Sequence, residues 1–213
     1  MSIWIDLLII GVSIGALYGM LALSVSLIYA SLDIIHFAQG EIFTLGAFLG
    51  WVLFTRGVPM IPTILLASFA TALVAIIIQK CIYNPILNMG GGFSIRGLTF
   101  VVAGFGMSAI LQNAYWLIWG AVSKSYDTNF GDPVQLGSVS VQPVYLVVIV
   151  VALIVMALLH LMFKKTKIGL AMKAVSYNKP ISALMGVNTR FIVSFAFGLA
   201  AFLSWVSGIL SAQ

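Results

Sequence analysis

The feature of this sequence that most constrains its fold is a series of long apolar runs without a charged side chain. Residues 7–32, 57–79 and 97–123 each give more than 20 consecutive positions free of Asp, Glu, Lys and Arg. A helix needs about 20 apolar residues, at 1.5 Å each, to cross a hydrocarbon core about 30 Å thick. Residues 141–163 and 191–212 meet the same requirement. The chain is therefore predicted to be all-α, a polytopic transmembrane helix bundle.

The composition supports this prediction and excludes several classes of protein. Only 7% of the 213 residues are charged and 62% are hydrophobic, whereas soluble domains carry about 25% charged residues. The net charge of +5 comes mainly from one loop, so no nucleic-acid partner is expected. One cysteine and two distant histidines cannot form a metal cluster, and no phosphate-binding loop motif is present. We expect no metal, no catalytic residue and no enzyme activity. We also expect residues 1–213 to form a single domain.

Residues 34–55 do not follow the pattern of the other runs. The apolar part, residues 42–54, is only about 20 Å long as a helix, too short for a full crossing. Extending the helix back to Ile34 gives a full length but places three polar side chains inside the membrane, His36, Gln39 and Glu41. Ionisable groups there are costly and usually face a cavity. With Gly40 and Gly46 as flexible points, a broken segment beside a substrate path is predicted; an ordinary loop followed by a re-entrant segment stays open.

A basic segment, residues 164–190, carries six of the ten Lys and Arg residues and no acidic residue. Lys and Arg between two apolar runs mark a cytoplasmic loop. Helical spacing of apolar residues indicates two short helices, with Asn178 capping the second, Pro180 in its first turn and Gly186 at its end. A cytoplasmic partner is predicted to dock here. Adsorption of the basic loop to anionic lipid remains an alternative.

The remaining loops and one helix face complete the prediction. Residues 80–96 form a loop with turn signals at Asn84-Pro85, also placed inside by their two basic residues. Residues 124–142 are placed outside, and their alternation over 134–141 indicates a small hairpin. Three glycines spaced four apart lie on one face of the first helix and predict close helix packing there: Gly11, Gly15 and Gly19. About six membrane segments are expected, counting the broken one.

Several stretches resemble one family, the permeases of branched-chain amino acid ABC importers. The run GVSIGALYGMLALSVSLIYASLDIIHFAQGEIFTLGAFLG is similar to its N-terminal signature, VVAGFGMSAILQN to one of its helices, and TKIGLAMKAVSYNKPISALMGVNTR to its coupling loop. The matching positions in the first run are Gly11, Gly15, Tyr18, Leu27, Tyr29, Phe37, Ala38, Gly40, Glu41, Gly46 and Ala47. The chain departs from the family pattern at His36, Gln39, Ser24 and Lys179.

The resemblance implies an importer in the inner (plasma) membrane with several other subunits. These are a second permease, two cytoplasmic ATPases that bind ATP, and an extracytoplasmic solute-binding protein; no cofactor is expected in this chain. Residues 164–190 would then be the coupling loop, with a docking surface made of Gly169, Ala171, Ala174, Ala183, Leu184, Met185 and Gly186. The substrate path would pass His36, Phe37, Gln39, Gly40 and Glu41.

Two other functions stay open from the sequence. A secondary carrier or channel working without ATP would use Asp33, His36 and Glu41 as ion or proton sites. The second open possibility is a truncated permease without transport activity, because proteins with this sequence pattern continue past the position of Gln213. The solute is also open, since similar permeases carry leucine, isoleucine and valine or urea and short amides.

Overall fold

A computed structural model describes residues 2–33, 35–87, 93–120, 122, 124, 134–136 and 139–212. The α-helices in this part are α1 Ser2–Leu32, α2 Gln39–Thr55, α3 Met60–Ile78, α4 Asn84–Leu87, α5 Phe93–Trp119, α6 Pro143–Lys165, α7 Lys167–Tyr177, α8 Lys179–Leu184 and α9 Thr189–Ser211. The strands are β1 Val134–Leu136 and β2 Val139–Val141.

The predicted transmembrane bundle is confirmed, with a lower number of full-length spans. Within the described residues, five helices are long and apolar enough to cross a membrane: Trp4–Leu32, Pro62–Ile86, Gly97–Trp119, Pro143–Lys165 and Thr189–Ser211. The sixth predicted segment is α2, whose 17 residues reach only about 26 Å at 1.5 Å per residue.

Helix α9 lies at the centre of the bundle, and α1, α2 and α3 pack around it. Its apolar window is 67% buried, against 28% or less for the other four candidate spans. Alanines and glycines on α9 allow this close packing, since helices in lipid associate where small residues let their backbones approach. Ala196, Ala200 and Gly208 are among the buried positions of α9.

The basic loop forms two short helices, as predicted. Thr166 caps α7 and Asn178 caps α8, each by accepting a backbone N–H three residues ahead. Gly186 then ends α8 with φ of 84°, a left-handed conformation that glycine adopts without strain. We call the end of the bundle that carries α7 and α8 the loop end.

The break in residues 34–55 lies at a different place from the one predicted. Helix α1 ends at Leu32, and Asp33 has a left-handed φ of 57°. The chain stays non-helical until α2 begins at Gln39, so no helix extends back to Ile34, which itself lies outside the described residues. Helix α2 continues without interruption through Gly40 and Gly46. The break is therefore in the α1–α2 connection and not at either glycine.

The predicted loop over residues 80–96 is wrong at both ends, because residues 80–87 and 93–96 are helical. Gln79–Tyr83 forms a π-helical turn between α3 and α4. The N–H of Asn84, the residue after this turn, donates to the carbonyl of Gln79. Pro85 has no N–H to donate, and the wider π turn accommodates a proline that would otherwise break the helix. The three glycines at 90–92 lie outside the described residues. Helix α5 follows from Phe93.

The hairpin predicted over residues 134–141 is confirmed. Strands β1 and β2 pair antiparallel, with Val134 opposite Val141 and Leu136 opposite Val139. Both strands lie between α5 and α6, so this small extramembrane element interrupts an otherwise helical chain.

Candidate functional site

The first residue of α2, Gln39, is buried and holds three elements together. Its side-chain amide nitrogen lies 2.6 Å from Ser204 Oγ, 3.1 Å from Ser24 Oγ and 3.2 Å from the Ala200 carbonyl oxygen, and its two N–H groups donate within this set of three acceptors. Ser204 also donates to Ser24 at 3.0 Å. This network joins the start of α2 to α1 and to α9, and it satisfies polar groups that cannot find water inside a membrane bundle.

The contacts of Gln39 place the start of α2 deep in the bundle. Ala200 lies 11 positions into α9, about 17 Å from the loop end, and Ser24 lies eight positions before the end of α1, about 12 Å. Half of a hydrocarbon core is about 15 Å thick. Helix α2 therefore begins near mid-membrane depth and continues toward the end opposite the loops.

His36 lies in an aromatic part of the core. Its Nδ1 is 2.6 Å from the hydroxyl of Tyr83, in the π turn. Its ring also makes an edge contact with Tyr83 and a tilted contact with Phe197 of α9. His36 and Gln39 are each 2% exposed, so both side chains lie in the packed interior of this chain.

Phe37, Gly40 and Glu41 lie on a different side of the same segment. Phe37 stacks on Phe105 of α5 with ring centres 4.3 Å apart. Gly40 is exposed, and a Cβ added there would meet nothing within 4 Å. The Glu41 carboxylate accepts a hydrogen bond from Ser108 of α5 at 3.1 Å. The sequence-predicted path residues are thus divided between the core and the face toward α5.

Glu41 lines a cavity of about 440 Å³ between α2 and α5. The residues of α2 that line it follow helical spacing: Glu41, Thr44, Phe48 and Trp51. From α5, the cavity is lined by Gln112, Tyr115 and Trp116. A cavity of this size with a few polar groups and aromatic walls has the character of a small-molecule site.

Hydrogen bonds and ring contacts hold the two walls of this cavity together. The Tyr115 hydroxyl donates to the backbone carbonyl of Glu41 at 2.8 Å. Phe48 stacks on Trp119 with ring centres 4.9 Å apart. Away from Glu41, toward the end of α2, the ammonium of Lys124 lies 4.9 Å from the centre of the Trp51 ring, a cation–π contact.

Most of this cavity was not predicted from the sequence. Four of its lining residues were not predicted to belong to a site, namely Thr44, Phe48, Gln112 and Trp116. The signal was present as spacing: Ser108, Gln112 and Tyr115 recur at helical intervals on α5. What the sequence lacks is any sign that this stripe faces α2. No group of metal-ligating side chains occurs among the described residues.

The seven residues predicted as a docking surface do not form one surface. Ala183, Leu184, Met185 and Gly186 are exposed together at the end of α8, with Leu184 86% and Met185 79% exposed. Gly169 is instead buried against α6, where an added Cβ would lie 2.6 Å from the Phe163 Cα. The other two residues, Ala171 and Ala174, are half-buried. Tyr177, 89% exposed just before α8, extends the exposed group.

The loop helices also contact the end of α1. Asp33 and residues 175–180 line a shallow cavity at the loop end. Burial lowers the pKa of Lys179 there, and the negative charge of Asp33 opposes that shift. Asp33 and Lys179 line the same cavity, so the α7–α8 junction lies next to the break before α2.

The glycine face of α1 has no partner within the described residues. A Cβ added at Gly11, Gly15 or Gly19 would meet nothing within 4 Å. The face predicted for close packing therefore points away from the other helices of this chain. Its packing role stays a prediction.

Comparison with known proteins gives matches over nearly the whole chain. The family described as branched-chain amino acid transport system / permease component matches residues 7–213. The high-affinity branched-chain amino acid transport system permease protein BraD of Pseudomonas aeruginosa is 25% identical over 222 residues, covering 97% of this chain and 70% of that protein. The LivH permease proteins of Escherichia coli and Salmonella typhimurium are 24% identical over 217 residues, covering 95% of this chain and 68% of each relative. No solved structure matches.

Proposed function

This chain belongs to the family of branched-chain amino acid transport permeases, and on that basis we propose that it is the membrane-spanning subunit of an ABC importer for branched-chain amino acids. The single observation that carries the proposal is the family match over residues 7–213. Two cytoplasmic ATPases that bind ATP, a second permease subunit and an extracytoplasmic solute-binding protein would complete the importer. The bundle would lie in the inner membrane, with the loop end facing the cytoplasm.

The exposed end of α8 supports docking of an ATPase. Leu184 and Met185 are large apolar residues that are almost fully exposed on a loop outside the spans. Such residues clustered on a surface mark an interaction site more often than isolated ones do. The basic side chains of the same loop would remain near the membrane surface, where anionic lipid attracts them.

The packing of the loop gives a route from this surface to the membrane. Helices α7 and α8 are capped. The backbone of α7 packs closely on the last turn of α6 at Gly169. When a docked partner displaces a rigid loop, the loop moves as one body, because packed elements shift between discrete arrangements. In our proposal that motion passes to α9, which begins three residues after Gly186, and to the break at Asp33, which lines the same cavity as Lys179.

The docking surface is tested by the double substitution Leu184→Asp with Met185→Glu. Neither side chain is buried in this chain, so the fold should persist while the apolar contact with an ATPase is lost. We expect at least about a tenfold loss of leucine uptake in reconstituted vesicles and loss of ATPase co-purification. Thr55→Asp adds a charge at an exposed position at the other end of the bundle and should keep both.

Wild-type uptake by the double variant would contradict docking at α8. Gly186→Val is a weaker test, because φ of 84° strains any β-branched residue whatever docks there. A loss of uptake in that variant would therefore reflect loop geometry as much as contact with a partner.

A secondary carrier is the other candidate, supported by Glu41 in a cavity between two helices. The three ionisable residues proposed for it lie in different surroundings. Asp33 is at the loop end, His36 is in the aromatic core, and Glu41 faces α5. Uptake that persists with an ion gradient after removal of ATP would favour the carrier; uptake that stops without ATP would favour the importer.

A further inference from the structure

We infer that the cavity between α2 and α5 is a binding site for an amino acid, with the Glu41 carboxylate accepting its ammonium group. This inference rests on the proposed function for the class of solute. It adds two things to that function. One is the place in this chain where the solute binds within the membrane, and the other is the side chain that recognises its ammonium group.

No cation is paired with Glu41 in the part of the chain that the structure describes. Among the described residues, the hydrogen bond from Ser108 is the one its carboxylate accepts, and no described basic side chain forms an ion pair with it. Lys124 lines the same cavity, but its ammonium lies over the ring of Trp51, ten positions further along α2. An ionisable residue within a membrane bundle is costly unless a cavity or an opposite charge accommodates it. An ammonium group entering the cavity supplies that charge.

Glu41 also lies deep in the bundle. Gln39 places the start of α2 near mid-membrane depth, and Glu41 lies in the first turn after it. The broken connection before α2 is what brings an acidic side chain to that depth. Discontinuous helices in transporters place their ends at solute sites near the midplane.

The walls of the cavity also suit an amino acid. Phe48 and Trp116 provide apolar faces for a branched side chain, while the side-chain amide of Gln112 provides a donor for a carboxylate. The volume of about 440 Å³ lies within the range of about 300–1,000 Å³ of small-molecule sites. Among the described lining residues, Glu41 is the one acidic residue and Lys124 the one basic residue. A single carboxylate suits a monovalent ammonium better than a divalent metal ion, which takes several oxygen ligands.

Two probes separate the ammonium from the rest of the solute. 3-Methylbutylamine retains the branched chain and the ammonium of leucine, and 4-methylpentanoate retains the branched chain and the carboxylate. Binding of each probe to the assembled importer in lipid nanodiscs is measured by isothermal titration calorimetry. Three forms are compared: wild type, Glu41→Gln and Asn113→Ala. Asn113 is the matched control, because it neighbours Gln112 but donates only to the Ala109 carbonyl of its own helix.

We expect the amine to bind the wild type more tightly than the acid does. In Glu41→Gln the amine should bind at least about tenfold more weakly, since a charge-assisted hydrogen bond is lost. Asn113→Ala should bind both probes as the wild type does. Equal wild-type affinity for the two probes, no binding of the amine, or unchanged amine affinity in Glu41→Gln would each overturn the inference. The comparison of probes on the wild type holds even where a variant fails to assemble.

Leucine uptake by the wild-type importer and by the Glu41→Gln importer distinguishes this inference from the proposed function. Uptake without any dependence on Glu41 would leave the importer proposal standing and remove the ammonium site. Amine binding that depends on Glu41, in a complex that does not take up leucine, would support the site and contradict the proposed solute.

Discussion

At the scale of single residues, three polar side chains within six positions have three different surroundings. His36 meets Tyr83, Gln39 meets Ser24 and Ser204, and Glu41 meets Ser108. Because α2 begins at Gln39, each following residue turns about 100° around the helix axis. Gln39 consequently faces α1 and α9, while Glu41, two positions on, faces α5. Composition of the segment alone could not separate a packing residue from a cavity residue.

Gln39→Leu should destabilise the bundle by about 1–3 kcal/mol, because buried acceptors lose their donor in a place that water does not reach. Thermal unfolding of the purified protein in detergent measures the effect. Gln112→Leu is the control, since Gln112 is exposed and lines the cavity, and its unfolding temperature should stay near that of the wild type. Equal unfolding temperatures for the two variants would show that the Gln39 network contributes no stability.

At the scale of elements, the contact of α2 with α9 depends on two glycines. A Cβ at Gly46 would lie 2.8 Å from Trp205 Cδ1, and one at Gly208 would collide with the Phe43 carbonyl oxygen. Backbone atoms cannot move aside as a flexible side chain can. This close approach allows a short helix to pack deep in the bundle, and the sequence indicated only that small residues were present on α9.

Gly208→Ala should therefore destabilise the bundle by about 1–3 kcal/mol through overpacking. Gly198→Ala, on the same helix, is its matched control, because the nearest atom to an added Cβ is the flexible Ile76 Cδ1 at 3.4 Å. That control should be neutral or slightly stabilising, since alanine is the better helix former. Unfolding temperatures of the two variants decide the question. A Gly208→Ala protein as stable as Gly198→Ala would mean that α2 and α9 separate without cost.

At the scale of the whole molecule, the helices alternate in direction across the membrane. Asp33 and the α7–α8 junction meet at the loop end. Trp51, Lys124 and Ala212 meet at the opposite end. The break and α2 together therefore take the chain from one end of the bundle to the other. The start of α1 then lies at the end opposite the loops.

This arrangement predicts the side from which each end reacts with a membrane-impermeant maleimide. In a Cys81→Ser background, which removes the single cysteine, Tyr177→Cys should react in inverted vesicles and not in intact cells. Val122→Cys should react in intact cells, because Val122 lies at the opposite end. Both native side chains are well exposed, 89% and 70%. Labelling of both positions from the same side would contradict the arrangement.

The sequence by itself determined the helical membrane bundle, the Asn178 cap and the Gly186 end of the second loop helix, and the hairpin at 134–141. These depend on local properties, namely the length of apolar runs, the residue types at helix ends and alternation along a strand. Only the tertiary structure decided where the chain breaks before α2, that residues 80–87 stay helical, and that Glu41 and α5 enclose a cavity. Those features depend on which faces of distant helices meet, and helical periodicity in one segment carries no information about its partner.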